Sequence, residues 1–280
     1  MTLRLQAPAK LNLFLRLVGR RADGFHLLQT AYQFIDRCDE VTLRVRRDGE
    51  IMRRLGAAAV PAEADLALRA ARLLKQATGT ALGAEVSVTK RIPLGGGLGG
   101  GSSDAAAVLV GLDRLWGTGR SRDALAELGL MLGADVPVFV KGRAAWAEGL
   151  GERLTPITPP EPWYLVLVPP VRISTAEMYQ VPELTRDSAP LRLRALFARG
   201  AGDEGAAALG NAFEPVVRAR HPMVDEALRW LGRHAESRLT GSGACVFAAF
   251  GSRADADRIL ARRPNGFDGF VARGLNRSPL

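Results

Sequence analysis

Cysteine is nearly missing: Cys38 and Cys245 are the only two in 280 residues. Neither sits in a CxxC spacing or beside a histidine cluster, which argues against a disulfide framework or a structural zinc site, and both read as packing. Lysine is also scarce, with only Lys10, Lys75, Lys90 and Lys141. None precedes serine or threonine, so the G-x-x-x-x-G-K-[ST] phosphate loop is absent. No stretch approaches the roughly 18 apolar residues that span a bilayer. The opening MTLRLQAPAKLNLFLRLVGRR is broken by Arg4, Lys10 and Arg16, leaving no signal-peptide core. The expectation is a cytoplasmic protein with no membrane partner. Aromatic residues make up only 6%, and the arginines behind the net charge of +9 are spread along the chain instead of alternating with aromatics in one stripe. That pattern gives no nucleic-acid footprint, although a basic surface also attracts anionic nucleotides.

What is present is enough apolar material for a substantial core, 47% of residues, over a length that suits one large or two modest domains. LRLQAPAKLNLFLRLVGR predicts a strand with Leu11, Leu13, Leu15 and Leu17 on one face and Lys10, Asn12 and Phe14 on the other. A Gly-containing loop, RRADGFHLLQT, leads into AYQFIDRCDEVTLRV, read as a second strand with Val41, Leu43 and Val45 alternating. Residues 64–77 have helical spacing, stopped by Gly79, and AEVSVTKRIP reads as a strand. After it come a glycine loop and a helix, DAAAVLVGLDRLWG, expected to be capped by Ser102 or Ser103 with Asp104 in its first turn. A further helix is expected over 122–130, then LGADVPVFVKGRAAWAEGLGERL as a loop or short helix and two short strands. Four prolines, Pro156, Pro159, Pro160 and Pro162, set the expected boundary between domains 1–156 and 157–280. Beyond it WYLVLVPP, ACVFAAF and FDGFVARGL read as strands, and segments near 203–220, 223–235 and 252–262 as helices. The mixture lacks the regular alternation of a doubly wound fold, so an α+β class is expected.

Six of the seven residues Gly95–Gly101 are glycine. Such a loop costs conformational entropy, so it must need positive φ or close approach of its backbone to something. Phosphate is the natural candidate: bare N–H groups can cradle it, and the helix that follows adds its positive end. Ser102 and Ser103 add hydroxyls there, as donors or as a magnesium ligand. A flexible linker would not be clamped between an alternating strand and an apolar helix. The match of Gly95, Gly97 and Gly100 to G-x-G-x-x-G is nearly automatic in so glycine-rich a run, and no alternating βαβ unit with a ribose-binding acid follows.

PLGGGLGGGSSDAAA resembles the phosphate loop of the GHMP kinases. APAKLNLFLRLVGRRADGFHLLQT, LGADVPVFV and LTGSGACVFAAF resemble the branch of that family that phosphorylates a cytidine-diphosphate-linked methylerythritol. The resemblance implies a two-domain GHMP kinase fold, the N-terminal domain like domain 2 of ribosomal protein S5 and the C-terminal domain ferredoxin-like. It implies ATP with Mg2+, a small-molecule acceptor phosphorylated on its 2-hydroxyl in non-mevalonate isoprenoid synthesis, and a monomer or weak homodimer. Nucleotide contacts fall on Pro93, Leu94, Gly95, Gly96, Gly97, Leu98, Gly99, Gly100, Gly101, Ser102 and Ser103. Asp135, an ionisable group among apolar neighbours, is implied as the general base, with Lys10 beside it. His26 is implied to bond the cytosine edge between the planes of Phe25 and Tyr179; the commoner family pattern has tyrosine where Phe25 stands, so stacking survives but a hydroxyl contact does not. Asn12, Tyr32, Thr175 and Gly241 match positions lining the same site. No resident metal site in the protein is expected.

Overall fold

Alternating side chains carry the chain through β1 (Thr2–Arg20) and back through β2 (His26–Arg46), paired antiparallel. The computed structural model describes residues 1–191 and 210–280; the part of the expected helix near 203–220 that precedes residue 210 lies outside them. The β1/β2 ladder changes register at Pro8/Ala9, Asn12/Leu15 and Leu17/Gly19. Each irregularity turns the strand, so the leucines expected on one face are divided. Leu11 packs with Ile35, Ile92 and Leu98, whereas Leu15 and Leu17 pack with Leu165 and Phe213. Phe14, expected beside Lys10 and Asn12, is instead buried against Trp146, with ring centroids 5.2 Å apart.

β2 begins at His26, five residues before the expected strand AYQFIDRCDEVTLRV, and the loop before it shrinks to residues 21–25. Gln29 and Thr30 placed its first residues in the expected loop, because polar residues there do not read as a buried strand, and Gln33 is a third polar residue on it. Each is buried and bonded: the Gln29 amide donates to Glu148 and to the Leu191 carbonyl, and Gln33 accepts from Tyr164 at 2.6 Å.

Along the chain follow β3 (Ile51–Leu55), α1 (Leu66–Thr78), β4 (Gly83–Thr89), α2 (Gly100–Trp116), α3 (Arg122–Leu130), α4 (Val136–Lys141), β5 (Ala145–Glu148), β6 (Arg153–Pro156), β7 (Trp163–Val168) and α5 (Thr175–Gln180). After the segment not described come α6 (Glu214–Arg220), α7 (Pro222–Gly232), β8 (Ser237–Leu239), β9 (Val246–Phe250), α8 (Arg253–Leu260) and β10 (Asp268–Leu275). β3, α5 and β8 were not expected; each is six residues or shorter, too short for a periodic signal. The helix at 64–77 is found as α1, capped by Asp65 and ended by Gly79 in the left-handed region.

The sheet runs β3-β4-β2-β10-β7-β9-β8, with β1 and β5 also on β2 and β6 on β5. Its second half, β10-β7-β9-β8, is antiparallel, with helices between β7 and β8 and between β9 and β10, which is the ferredoxin-like order. β10 joins the halves: Gly274 and Leu275 pair with Ile35 and Phe34, and the Ala144 N–H donates to the Asn276 carbonyl. α1, α2, α3 and α4 cover one core with Val41, Leu43, Val86 and Phe139. Phe139 is fully buried against Phe34 on the short helix that begins just after Asp135. Truncating such a phenylalanine costs about 3–5 kcal/mol, so the core fixes the turn that carries the carboxylate.

Candidate active site

The glycine loop leaves β4 and enters α2 three or four residues earlier than expected. Gly99, at φ 72°, is the residue before the helix, and the Ser103 N–H makes the first helical bond to the Gly99 carbonyl. The expected serine cap is therefore wrong: Ser102 and Ser103 lie inside the first turn and Asp104 beyond it. The physical reason is that glycine tolerates a left-handed turn that serine resists. The N–H groups of Gly100, Gly101 and Ser102 precede that first helical bond and remain available to an anion. At Gly97, with φ 76°, an added Cβ would lie 2.1 Å from the Thr240 carbonyl oxygen. Backbone contact between the glycine loop and the 240–243 loop thus requires glycine there.

A cavity of about 410 Å3 opens over this loop. Pro93, Leu94, Gly95, Gly96, Gly97, Leu98, Gly99, Gly100, Gly101 and Ser102 line one side of it; Lys10, Asn12, Tyr32, Asp135, Thr175, Tyr179 and Gly241 line the rest. Ser103 is buried and does not line it. The Thr175 and Ser242 hydroxyls meet at 2.7 Å, joining the start of α5 to the late loop. Asn211 donates to the Leu239 and Gly241 carbonyls and so holds that loop from the other side.

Lys10 is buried with its Nζ 3.3 Å from Asp135 Oδ2, and it also donates to Asn12 Oδ1 and, at 2.8 Å, to the Gly97 carbonyl. Asp135 precedes α4 yet makes no side-chain cap there. Its second oxygen accepts from the Tyr32 hydroxyl at 2.8 Å, and its side chain keeps 31% exposure toward the cavity. Tyr32 is buried, and burial first and the Asp135 charge second push its pKa well up, so it remains a donor. The period of β1 does bring Lys10 and Asn12 to one side; Asn12 is held by Thr30 at 2.9 Å and, through its own N–H, by Thr240 at 3.0 Å.

A second cavity, about 810 Å3, shares Ala134, Leu150 and Tyr179 with the first and contains Phe25, His26, Met131 and Arg186. Phe25 is 60% exposed at its mouth. His26 stacks on Tyr179 with centroids 5.0 Å apart and planes 21° apart, while Phe213 meets the edge of Tyr179. One face of Tyr179 is therefore covered by His26 itself, an arrangement the expected sandwich of Phe25 and Tyr179 did not contain. A third cavity, about 190 Å3, lies on the outer side of the loop, where Val60, Leu66, Val88 and Leu94 supply apolar walls.

Beneath the loop, Lys90 bridges two acids, pairing with Asp39 and, at 2.7 Å, with Asp104. Asp39 also accepts the N–H groups of Arg91 and Ile92, which fixes the approach to the loop. Burial first, with repulsion from Asp39, pushes the Asp104 carboxyl up to about 7 against the pull of Lys90. Sequence reasoning named Asp104 in the glycine motif but not its partners, and missed Asp39, Lys90, Asn211 and Arg186, which lie outside the motifs. The one readable signal was a lysine directly after an alternating strand.

Residues 65–143 match the GHMP kinases N terminal domain and residues 193–268 the GHMP kinases C terminal domain. The 4-diphosphocytidyl-2-C-methyl-D-erythritol kinase of Alkalilimnicola ehrlichii is 57% identical over 98% of this chain and 91% of its own length. That of Xanthomonas axonopodis pv. citri is 55% identical over the same shares. A crystal structure of 4-(cytidine 5'-diphospho)-2C-methyl-D-erythritol kinase superposes with a TM-score of 0.81 at 31% identity, covering 97% of this chain and 99% of that one. The α+β, two-domain expectation agrees with these matches, and the chain belongs to the 4-diphosphocytidyl-2-C-methyl-D-erythritol kinase family of the GHMP kinases.

Proposed function

We propose that this chain transfers the γ-phosphoryl group of ATP to the 2-hydroxyl of 4-diphosphocytidyl-2-C-methyl-D-erythritol, giving the 2-phosphate and ADP in the non-mevalonate route to isoprenoid precursors. The observation that carries the reading is the buried Lys10 ammonium paired with the partly exposed Asp135 carboxylate between the glycine loop and the second cavity. The triphosphate rests on the N–H groups of the loop and the first turn of α2, with adenine in the small apolar cavity outside the loop. The cytidine lies in the second cavity against Phe25, Tyr179 and His26, and the methylerythritol reaches past Ala134 toward Asp135.

In phosphoryl transfer the protein contributes alignment and charge more than covalent chemistry. The 2-hydroxyl oxygen bonds to the γ-phosphorus as the bond from that phosphorus to the β–γ bridging oxygen breaks. Asp135 Oδ2 accepts the hydroxyl proton. Lys10 pairs with that carboxylate at 3.3 Å, Tyr32 orients its other oxygen, and Asn12 and Thr175 line the acceptor's path. A carboxylate is a far weaker base than an alkoxide, so Asp135 orients the hydroxyl first and takes the proton as the phosphorus–oxygen bond forms.

Among the described residues no cluster of three or more His, Cys, Asp or Glu side chains that could hold a metal exists, yet Ser102 lines the cavity at the loop. Its hydroxyl fits a Mg2+ ion held mainly by phosphate oxygens and water. When bound, it neutralises charge on the β- and γ-phosphates. We assign residues 1–156 and 157–280 to the two domains, acting as a monomer or weak homodimer. No helix among the described residues is long and apolar enough to cross a membrane.

ADP release by the purified protein with ATP, Mg2+ and each of three acceptors tests the proposal. Turnover is expected with the cytidine substrate alone; turnover with mevalonate or homoserine instead would overturn it.

A further inference from the structure

Arg186 lies outside every motif, in the irregular segment after α5. Its Nε donates to His26 Nε2 at 3.0 Å. Its other nitrogens donate to the carbonyls of Tyr179 at 3.0 Å, Val181 at 2.6 Å, Pro182 at 3.3 Å and Leu184 at 2.9 Å. Held by four carbonyls, the guanidinium cannot turn away from the imidazole.

A guanidinium carries only donors and does not lose its proton in proteins. The His26 nitrogen that faces it must therefore present a lone pair, which leaves the ring proton on Nδ1. The stack on Tyr179 fixes the plane of the ring as well. We infer that Arg186 is a positioning residue for base recognition: it locks His26 in the neutral Nδ1–H tautomer, so that the ring offers a hydrogen-bond donor to the base held in the second cavity. A cytosine edge carries acceptors at N3 and O2, which that donor complements, whereas the other tautomer would set a lone pair against them. The direction of the His26 shift agrees, since burial first and then the Arg186 and Arg20 charges disfavour the imidazolium. The inference rests on reading the second cavity as the cytidine site, but the position of the ring proton does not depend on that reading.

The test is long-range proton–nitrogen NMR of the 15N-labelled, ligand-free protein, with the His26 signals assigned by their loss in His26→Gln. The expected spectrum has Nδ1 protonated and Nε2 bare; a protonated Nε2 overturns the inference. In Arg186→Met the ring reverts toward the Nε2–H form favoured in water, and KM for the cytidine substrate rises about tenfold, the equivalent of one good hydrogen bond, while KM for ATP stays within twofold. In a His26→Ala background the same Arg186 change adds nothing. An equal rise in both backgrounds would mean that Arg186 only braces its own segment, and would overturn the inference. If the chain fails to phosphorylate the cytidine substrate at all, the NMR result still reports the tautomer, so the two readings fail separately.

Discussion

Replacing Asp135 by asparagine separates the chemistry at this site from its architecture. The carboxylate meets Lys10 at 3.3 Å and Tyr32 at 2.8 Å. At 3.3 Å and an effective dielectric near 20, the Lys10–Asp135 attraction is on the order of 5 kcal/mol before desolvation is deducted. Because Asp135 keeps 31% exposure, solvent screening reduces the net contribution to about 1–3 kcal/mol. The amide has the same shape, and its oxygen can still accept from Lys10 while its nitrogen faces the Tyr32 hydroxyl. The variant therefore folds, with a stability loss of about 1–3 kcal/mol in urea titration. Its kcat is expected to fall about 10³-fold, close to 4 kcal/mol, because the group that accepts the hydroxyl proton has gone. KM for ATP is expected to remain within about threefold of wild type, since the N–H groups of the glycine loop are untouched. Coupled ADP release under saturating acceptor measures both constants, and a quenched single turnover confirms that chemistry is the slowed step. A kcat within tenfold of wild type would refute Asp135 as the proton acceptor. A parallel loss of ATP affinity would make it a structural residue.

Three further outcomes follow from the same geometry. Tyr32→Phe removes the buried donor to Asp135 Oδ1 and is expected to lower kcat about tenfold, the loss of one hydrogen bond to a charged group; unchanged kcat in the ADP assay would show that Lys10 alone orients the carboxylate. Gly97→Ala puts a Cβ 2.1 Å from the Thr240 oxygen at a φ of 76°, so KM for ATP should rise more than about tenfold with a lower Tm, the positive φ alone costing about 1–2 kcal/mol; wild-type values would mean the two loops do not need contact. Asp104 has its pKa raised from 3.8 to about 7, so between those values the folded chain holds a proton that the unfolded chain has released, and its contribution to stability is lost as pH rises through that window. Asp104→Asn should therefore lose less stability than wild type in urea titrations between pH 5.5 and pH 8; identical pH dependence would contradict the raised pKa.

Much of the site was legible because it is local. The run of glycines between an alternating strand and an apolar helix marks an anion site, and the period of two puts Lys10 and Asn12 together. The same period misplaced Phe14, because the register shift between Asn12 and Leu15 turns the strand beneath it. Composition could not reveal the first five residues of β2, since Gln29 and Thr30 look like a loop until their buried partners are known. The start of α2 was misjudged for a related reason: serine is the better cap by side chain, but Gly99 supplies a turn that serine resists. Arg186 and His26 lie 160 residues apart, and only the tertiary fold makes them neighbours. Tyr32 combined both cases, a buried core ring by pattern and a partner of Asp135 by position.

The central claim is transfer of phosphate to one hydroxyl of one acceptor, and the product states that directly. Phosphorus NMR of the reaction of wild-type protein with ATP, Mg2+ and 4-diphosphocytidyl-2-C-methyl-D-erythritol should show a new phosphomonoester on the 2-hydroxyl appearing in step with ADP, while the cytidine diphosphate resonances remain. A phosphomonoester on any other hydroxyl, or ADP formed without a phosphorylated acceptor, would contradict the account.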